Sequence, residues 1–465
     1  MVRESHMRLE TFMADTPLMI SVSGVRGIVG RSLTAAVALR WTEAFGAVCR
    51  PGPVIVGGDS RTSRVMMRAA AFAGLSSCGC RIIDLGIVPT PTIGLAVRYH
   101  RARGGIAITA SHNPAEWNAF KFYGADALFL DEAAGAKLRR WVESGARESV
   151  AASEMGTYEK DESAVRRHVE AVLAIPFLKR DELRARRFRV GLDAVCGAGG
   201  ELLTTLLGEL GCDVVGFHTE PSGHFPRNPE PVSEHLSDVC SSMKDARVDV
   251  GFAVDPDADR LMVILEDGQA AGEELTLVAA ADLVLRYSQG PVVANCSTTR
   301  ALDDVAAKYG ASVTRTKVGE AHVARKMIEL GAVIGGEGNG GVMLPSVHPA
   351  RDSAVGIALI LQAILESGGS ASACFASLPC YHMVKRRLLF ESLDGLKRAV
   401  QSVEGRVPFG PADHLDGLKW TLDDAWVQVR ASNTEPIVRV LAEARDPARA
   451  EALAEAATQA LRRQA

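Results

Sequence analysis

The sequence predicts an α/β fold: three similar mixed-sheet α/β domains in series, followed by a smaller C-terminal α+β domain. Two observations predict it. An apolar strand, a small or polar turn, an amphipathic helix and a second strand follow one another three times along the chain. The C-terminal region then breaks that pattern with closely spaced strands and one closing helix. Alternating strands and helices bury two faces of a sheet and so specify α/β layers. The repeat length, roughly 100–135 residues, is too long for a solenoid and matches whole domains.

The first copy has a strand over 54–59, a turn at 60–63, a helix from 64 and a strand over 81–84. The second runs from a strand at 190–193 through Gly197-Ala198-Gly199-Gly200 and a helix to 210, then a strand at 213–216. The third has a strand at 292–295, the turn Ser297-Thr298-Thr299, a helix to 309 and a strand at 312–314. Beyond them, strands are expected over 386–390, 426–430 and 437–443, and Asp446-Pro447 opens a helix to 462. Turn residues and changes of pattern place the domains at 18–158, 159–267, 268–380 and 381–465.

Composition narrows the function classes. The chain has 465 residues, 47% hydrophobic and 23% charged, enough for several full cores. A net charge of −4 gives no electrostatic case for nucleic acid. The densest basic run, 179–187, is interrupted by Asp181 and Glu182 and reads as a solvated helix face or linker. No apolar run reaches the roughly 18–20 residues of a membrane span, and the N-terminus lacks the pattern of a signal peptide. Nine scattered cysteines without paired CxxC spacing fit a reduced, cytoplasmic setting.

Three polar motifs carry the chemistry. Thr109-Ala110-Ser111-His112-Asn113-Pro114 follows the apolar strand 105–108, so Ser111 is expected on a tight bend at a strand end. No GxSxG elbow accompanies it, which argues against an α/β-hydrolase. Asp255-Pro256-Asp257-Ala258-Asp259-Arg260 follows the strand-like run 248–254. Three clustered carboxylates repel one another unless a cation or an arginine lies between them, and hard oxygen ligands suit Mg²⁺. An EF-hand is excluded because Arg260 occupies the position of its turn glycine and 261–265 reads as a strand. Arg430-Ala431-Ser432-Asn433-Thr434-Glu435-Pro436, between two strands, offers a guanidinium fork, hydroxyls and an amide for phosphate oxygens. A hydroxyl, a metal-binding carboxylate cluster and a separate anion loop are the parts of a phosphoryl-transfer site.

Two further segments join them. Gly335-Gly336-Glu337-Gly338-Asn339-Gly340-Gly341 is a loop whose glycines allow close backbone approach to a ligand and where Glu337 and Asn339 could meet paired sugar hydroxyls; a flexible structural turn is the alternative reading. It is not a GxGxxG turn, so dinucleotide binding is disfavoured. Arg26, in Ser23-Gly24-Val25-Arg26-Gly27, and Lys121 are single cations with weaker individual signals.

Taken in order, these motifs resemble the α-D-phosphohexomutase family, which includes phosphoglucosamine mutases and phosphomannomutase/phosphoglucomutases. The resemblance covers essentially the whole chain. It implies four domains around one central cleft and an isomerase that interconverts hexose 6-phosphate and hexose 1-phosphate. Ser111 would be the phosphoserine, and Ser111, Asp255, Asp257 and Asp259 would hold Mg²⁺. Arg26, His112, Lys121 and Arg260 would complete the catalytic group, with Lys121 assisting proton transfer beside cationic neighbours. Glu337 and Asn339 would bind the sugar, and Arg430, Ser432, Asn433 and Thr434 its phosphate. A hexose 1,6-bisphosphate would be intermediate and activator, and the enzyme would be a monomer or homodimer. The chain departs from some members in having Lys317-Val318-Gly319-Glu320 where they carry Lys-Thr-Gly-His; His322 lies two residues on. The Ser23–Gly27 and Gly336–Gly341 segments look closer to phosphoglucosamine mutases, with phosphomannomutase/phosphoglucomutase as the alternative. Readings from other classes are a phosphatase with an aspartyl nucleophile at Asp255-x-Asp257 and a non-catalytic sugar-phosphate sensor.

Overall fold

The computed structural model describes residues 18–146, 148–390, 393–431 and 437–462. They form four sheets. The first has seven strands in the spatial order Met19–Ile20, Gly24–Ile28, Trp117–Gly124, Gly104–Ile108, Pro53–Gly58, Arg81–Ile87, Tyr158–Lys160. The second has four, ordered Leu261–Leu265, Val250–Val254, Arg189–Asp193, Asp213–Phe217. The third has five, ordered Val313–Thr316, Val292–Asn295, Ile334–Glu337, Gly341–Leu344, His348–Arg351.

These three share one plan. Each has a parallel core extended on one side by antiparallel strands. Parallel strands need helical crossovers and are buried on both faces. Their sequences are accordingly continuous apolar runs, such as Val54-Ile55-Val56, in which every side chain is fully buried. The fourth sheet is wholly antiparallel, in the order His382–Leu389, Ile437–Ala444, Ala425–Ala431, Leu418–Thr421. Helices Leu393–Val403 and Pro447–Arg462 pack against it. The strand at Leu418–Thr421 and the helix at Leu393–Val403 were not expected from the sequence.

Core continuity separates the fourth domain from the rest. One apolar cluster runs from Ile55 through Val172 and Leu203 to Leu283 and Ile357, joining the first three domains. At their junction Thr92 Oγ1 meets His168 Nδ1 at 2.8 Å, and His168 Nε2 meets Asp352 Oδ2 at 2.7 Å. The fourth domain has its own core around Trp420, Val429 and Leu453. Its seam with the third is polar: Ser297 Oγ donates to Gln428 Oε1 (2.6 Å), Lys419 Nζ to the Cys296 carbonyl (2.5 Å), and the Arg300 amide to Glu443 Oε2 (2.8 Å). The basic run forms the helix Arg180–Arg186, whose arginines are exposed or partly so. No helix among the described residues is long and apolar enough to cross a membrane.

Candidate active site

Ser111 lies on the bend after strand Gly104–Ile108, with φ of 50°. That left-handed conformation is costly for a side-chain-bearing residue and persists only under external support. Arg61 supplies it. Its buried guanidinium donates to the carbonyls of Ser111 (2.6 Å), Asn113 (2.6 Å), Pro114 (2.5 Å) and Trp117 (3.1 Å), and Nε donates to Asp59 Oδ2 (3.1 Å). Asp59 Oδ2 also accepts from Thr109 Oγ1, whose oxygen accepts the Ser111 amide. Sequence reasoning missed Asp59 and Arg61. Their signal was Asp59-Ser60-Arg61 at the C-terminal end of a parallel strand, where ligand sites gather in open α/β sheets.

The acidic motif closes over this bend. Ser111 Oγ donates to Asp255 Oδ2 at 2.7 Å. Asp255 Oδ1 accepts the amides of Asp259 and Arg260, so the 255–260 turn folds around its first carboxylate. Asp255, Asp257 and Asp259 are fully buried, and their nearest oxygens lie within 4.8 Å of one another. Burial and the adjoining Asp257 and Asp259 charges push the Asp255 carboxyl well above its ordinary pKa. Asp257 goes the other way: burial opposes ionisation, but the Lys121 ammonium overrides it and holds the carboxyl low. Among the described residues, Asp257 Oδ1 and Asp259 Oδ1 have no hydrogen-bond partner. Buried anionic oxygens without donors are costly, and their convergence fits a divalent cation with hard oxygen ligands.

Lys121, on strand Trp117–Gly124, sets Nζ 2.8 Å from Asp257 Oδ2 and 3.9 Å from Asp259 Oδ2. Its immediate partners are therefore carboxylates, not the cations expected from the sequence; strand pairing with Gly24 turns it onto the acidic loop. Arg26 Nη1 donates to Asn113 Oδ1 at 2.6 Å, beside the serine bend. His112 Nδ1 is 3.4 Å from Ser111 Oγ, and burial with the Arg260 and Arg26 charges holds its pKa well below the ordinary value. Arg260 Nη1 donates to Glu230 Oε1 (3.1 Å). A cavity of about 740 Å³ opens beside this group, lined by Arg26, Ser111, His112, Lys121, Arg260 and Arg351 among others.

The glycine-rich loop is a tight hairpin joining Ile334–Glu337 to Gly341–Leu344, which disposes of the alternative of a flexible turn. Gly340, at φ 83°, lies so close to Leu261 that a Cβ would meet its carbonyl oxygen at 2.3 Å, which fixes the turn against the second domain. Glu337 is buried; its Oε1 accepts from Asn295 Nδ2 (2.8 Å) and the Gly319 amide (2.9 Å), and Oε2 from Arg351 Nη1 (2.9 Å). Asn339 Oδ1 turns back to accept the Gly341 amide (3.2 Å). Neither residue is part of the cavity lining. Glu320 is held against Arg351, and both Glu320 and His322 line the cavity. Arg430 forms an ion pair with Asp416 Oδ2 (2.8 Å), which also accepts the Val318 amide from the third domain (2.9 Å). Ser432, Asn433 and Thr434 lie outside the described residues.

Four family models match in sequence order. They are described as phosphoglucomutase/phosphomannomutase alpha/beta/alpha domains I (residues 18–148), II (166–268) and III (271–381), and the C-terminal domain (390–460). The chain belongs to the phosphoglucomutase/phosphomannomutase family. It is a phosphohexomutase, an isomerase, by membership and by its relatives. It is 36% identical to a probable phosphoglucosamine mutase of Methanopyrus kandleri, over 93% of this chain and 95% of that protein. It is 38% identical to a phosphoglucomutase/phosphomannomutase of Thermococcus kodakarensis, over 92% and 94%. Among solved structures, a family protein from Burkholderia thailandensis superposes with a TM-score of 0.83 at 28% identity, covering 96% of this chain and 98% of that one.

Proposed function

We propose that this phosphohexomutase interconverts glucosamine 6-phosphate and glucosamine 1-phosphate through a phosphorylated Ser111 and a hexose 1,6-bisphosphate. The observation that carries the reading is the convergence of Ser111 Oγ, the acidic trio and Lys121 from three sequence-distant segments within hydrogen-bonding reach. In the forward half-reaction the free hydroxyl of the sugar attacks the phosphorus on Ser111. Its P–O bond to Oγ breaks; Lys121 gives a proton to the departing Ser111 Oγ and takes the one released by the attacking hydroxyl, so its charge is unchanged over the step. The bisphosphate reorients and returns its other phosphoryl group to Ser111 Oγ, which regenerates the phosphoenzyme.

Asp255, Asp257, Asp259 and the Ser111 oxygen would hold Mg²⁺, which supplies charge neutralisation for the transferring phosphoryl group. Arg26, His112 and Arg260 surround the serine bend and bind the transferring group. Although neither lines the cavity, Glu337 and Asn339 are assigned to the sugar hydroxyls on the family resemblance, and Arg430 with Ser432, Asn433 and Thr434 to the non-reacting phosphate. The separate core of the fourth domain and its polar seam support opening along that seam while the bisphosphate turns over. Relatives called probable phosphoglucosamine mutases support the amino-sugar substrate. The Thermococcus kodakarensis relative, called a phosphoglucomutase/phosphomannomutase, supports the alternative of glucose and mannose phosphates.

The test is a coupled assay of purified protein with Mg²⁺ and a trace of hexose 1,6-bisphosphate, comparing glucosamine, glucose and mannose 6-phosphates. A clear preference for glucosamine is expected. Turnover of glucose and mannose with little glucosamine activity would overturn the substrate assignment. Release of inorganic phosphate without isomerisation would replace the mechanism with that of a phosphatase.

A further inference from the structure

Arg351 ends the strand His348–Arg351 and was not singled out by any sequence motif. Its side chain is only 9% exposed and is shared among three carboxylates. Nη2 donates to Asp259 Oδ2 at 2.6 Å, Nη1 to Glu337 Oε2 at 2.9 Å, and Nε to Glu320 Oε2 at 3.2 Å. The Arg351 amide also reaches Glu320 Oε1 at 3.3 Å. Asp259 belongs to the acidic turn of the second domain, whereas Glu337 and Glu320 belong to the hairpin and a helix start of the third. One rigid guanidinium plane thus spans the boundary between the acidic turn and the hairpin.

A guanidinium presents its donors in a fixed fork, so the positions of its acceptors are set relative to one another. Glu320 engages both the amide and Nε of the same residue, which orients the plane and leaves Nη1 and Nη2 for the other two acids. Asp259 Oδ1 accepts no hydrogen bond among the described residues, so each of the two acids is oriented through the carboxylate oxygen that Arg351 holds, Oδ2 of Asp259 and Oε2 of Glu337. Groups behind a metal ligand fix its orientation and tune its affinity in the same manner.

We propose that Arg351, clasped by Glu320, is a positioning residue that holds Asp259 and Glu337 as one unit, so that divalent-cation affinity and hexose-phosphate affinity are set together. This rests on the roles assigned to those two acids above. The Glu320 that departs from the histidine of some members is, on this reading, the anchor of that device.

The experiment compares the full-length wild type with R351K and E320Q. Mn²⁺ binding to the substrate-free protein is measured by electron paramagnetic resonance, and KM and kcat for hexose 6-phosphate by the coupled assay. R351K keeps the charge but loses the fork; it should weaken Mn²⁺ binding about tenfold and raise KM by a similar factor. E320Q should move both in the same direction by less, and it decides the matter if R351K does not fold. Mn²⁺ affinity and KM both within twofold of wild type in the folded variants would overturn the proposal. A shift in only one of the two would overturn it as well, because coupling requires both. Mn²⁺ binding and hexose 6-phosphate binding, the latter by isothermal titration calorimetry, need no turnover, so a wild type inactive on hexose phosphates would sink the proposed function and leave the paired binding comparison decisive here.

Discussion

Replacing Arg61 by lysine probes how the bend carrying Ser111 is held. The guanidinium serves five acceptors, one carboxylate oxygen of Asp59 and the carbonyls of Ser111, Asn113, Pro114 and Trp117. A lysine ammonium keeps a charge opposite Asp59 but has only three donors. At least two of the five acceptors therefore lose their partner. At about 1–3 kcal/mol for each buried group left unpaired, the bend is destabilised by about 2–6 kcal/mol. Ser111 already holds a left-handed φ of 50°, which costs roughly 1–2 kcal/mol, so the loosened segment relaxes away from it. A displacement of about 1 Å at a reacting atom costs on the order of 100-fold in rate. R61K should thus lower kcat about 100-fold and speed amide exchange over 109–117, read by steady-state kinetics and hydrogen-exchange mass spectrometry. Wild-type kcat together with unchanged protection of that segment would refute the reasoning.

Ser111→Ala should reduce turnover to background and abolish phosphate incorporation with the fold intact; residual incorporation at the wild-type level would remove Ser111 as phosphoryl carrier. Arg430→Ala should raise KM about 10–100-fold, the worth of a charge-assisted hydrogen bond of about 1.5–3 kcal/mol, with kcat changed far less. Asp416→Asn, which weakens the ion pair that docks Arg430, should raise KM in the same direction by a smaller factor; kinetics at saturating cation separate the two parameters. His348 is buried, and burial, then the Arg98 charge, push its imidazole pKa down to about 3 from about 6.5 in an unfolded chain. The unfolded chain therefore binds the extra proton first, and stability rises with pH between those values at up to about 1.4 kcal/mol per pH unit. His348→Leu should flatten the dependence of Tm on pH in that window; an undiminished slope would assign the acid sensitivity to other groups.

The sequence alone determined the elements and the chemistry of single motifs. Buried parallel strands must be continuous apolar runs, so 54–59, 190–193 and 292–295 were legible, and the strands form over Pro53–Gly58, Arg189–Asp193 and Val292–Asn295. The three aspartates at alternate positions announced a cation-binding turn because carboxylates so close together repel one another unless positive charge lies between them. The short strand Leu418–Thr421 was not legible, since its four residues gain their place only by pairing with Ala425–Ala431. Arg351 was hidden, Asp59 and Arg61 carried only a positional signal, and Glu320 stood out only as a departure from the family pattern, with no partner assigned to it. Each acts through partners far away in the chain, and a buried arginine has the same local signature as a solvated one. Tertiary structure also turned Lys121 onto Asp257 and folded the glycine-rich run into a hairpin pinned against Leu261. Propensity and periodicity are local, whereas the pairing of buried charges depends on which distant segments the packed domains bring together.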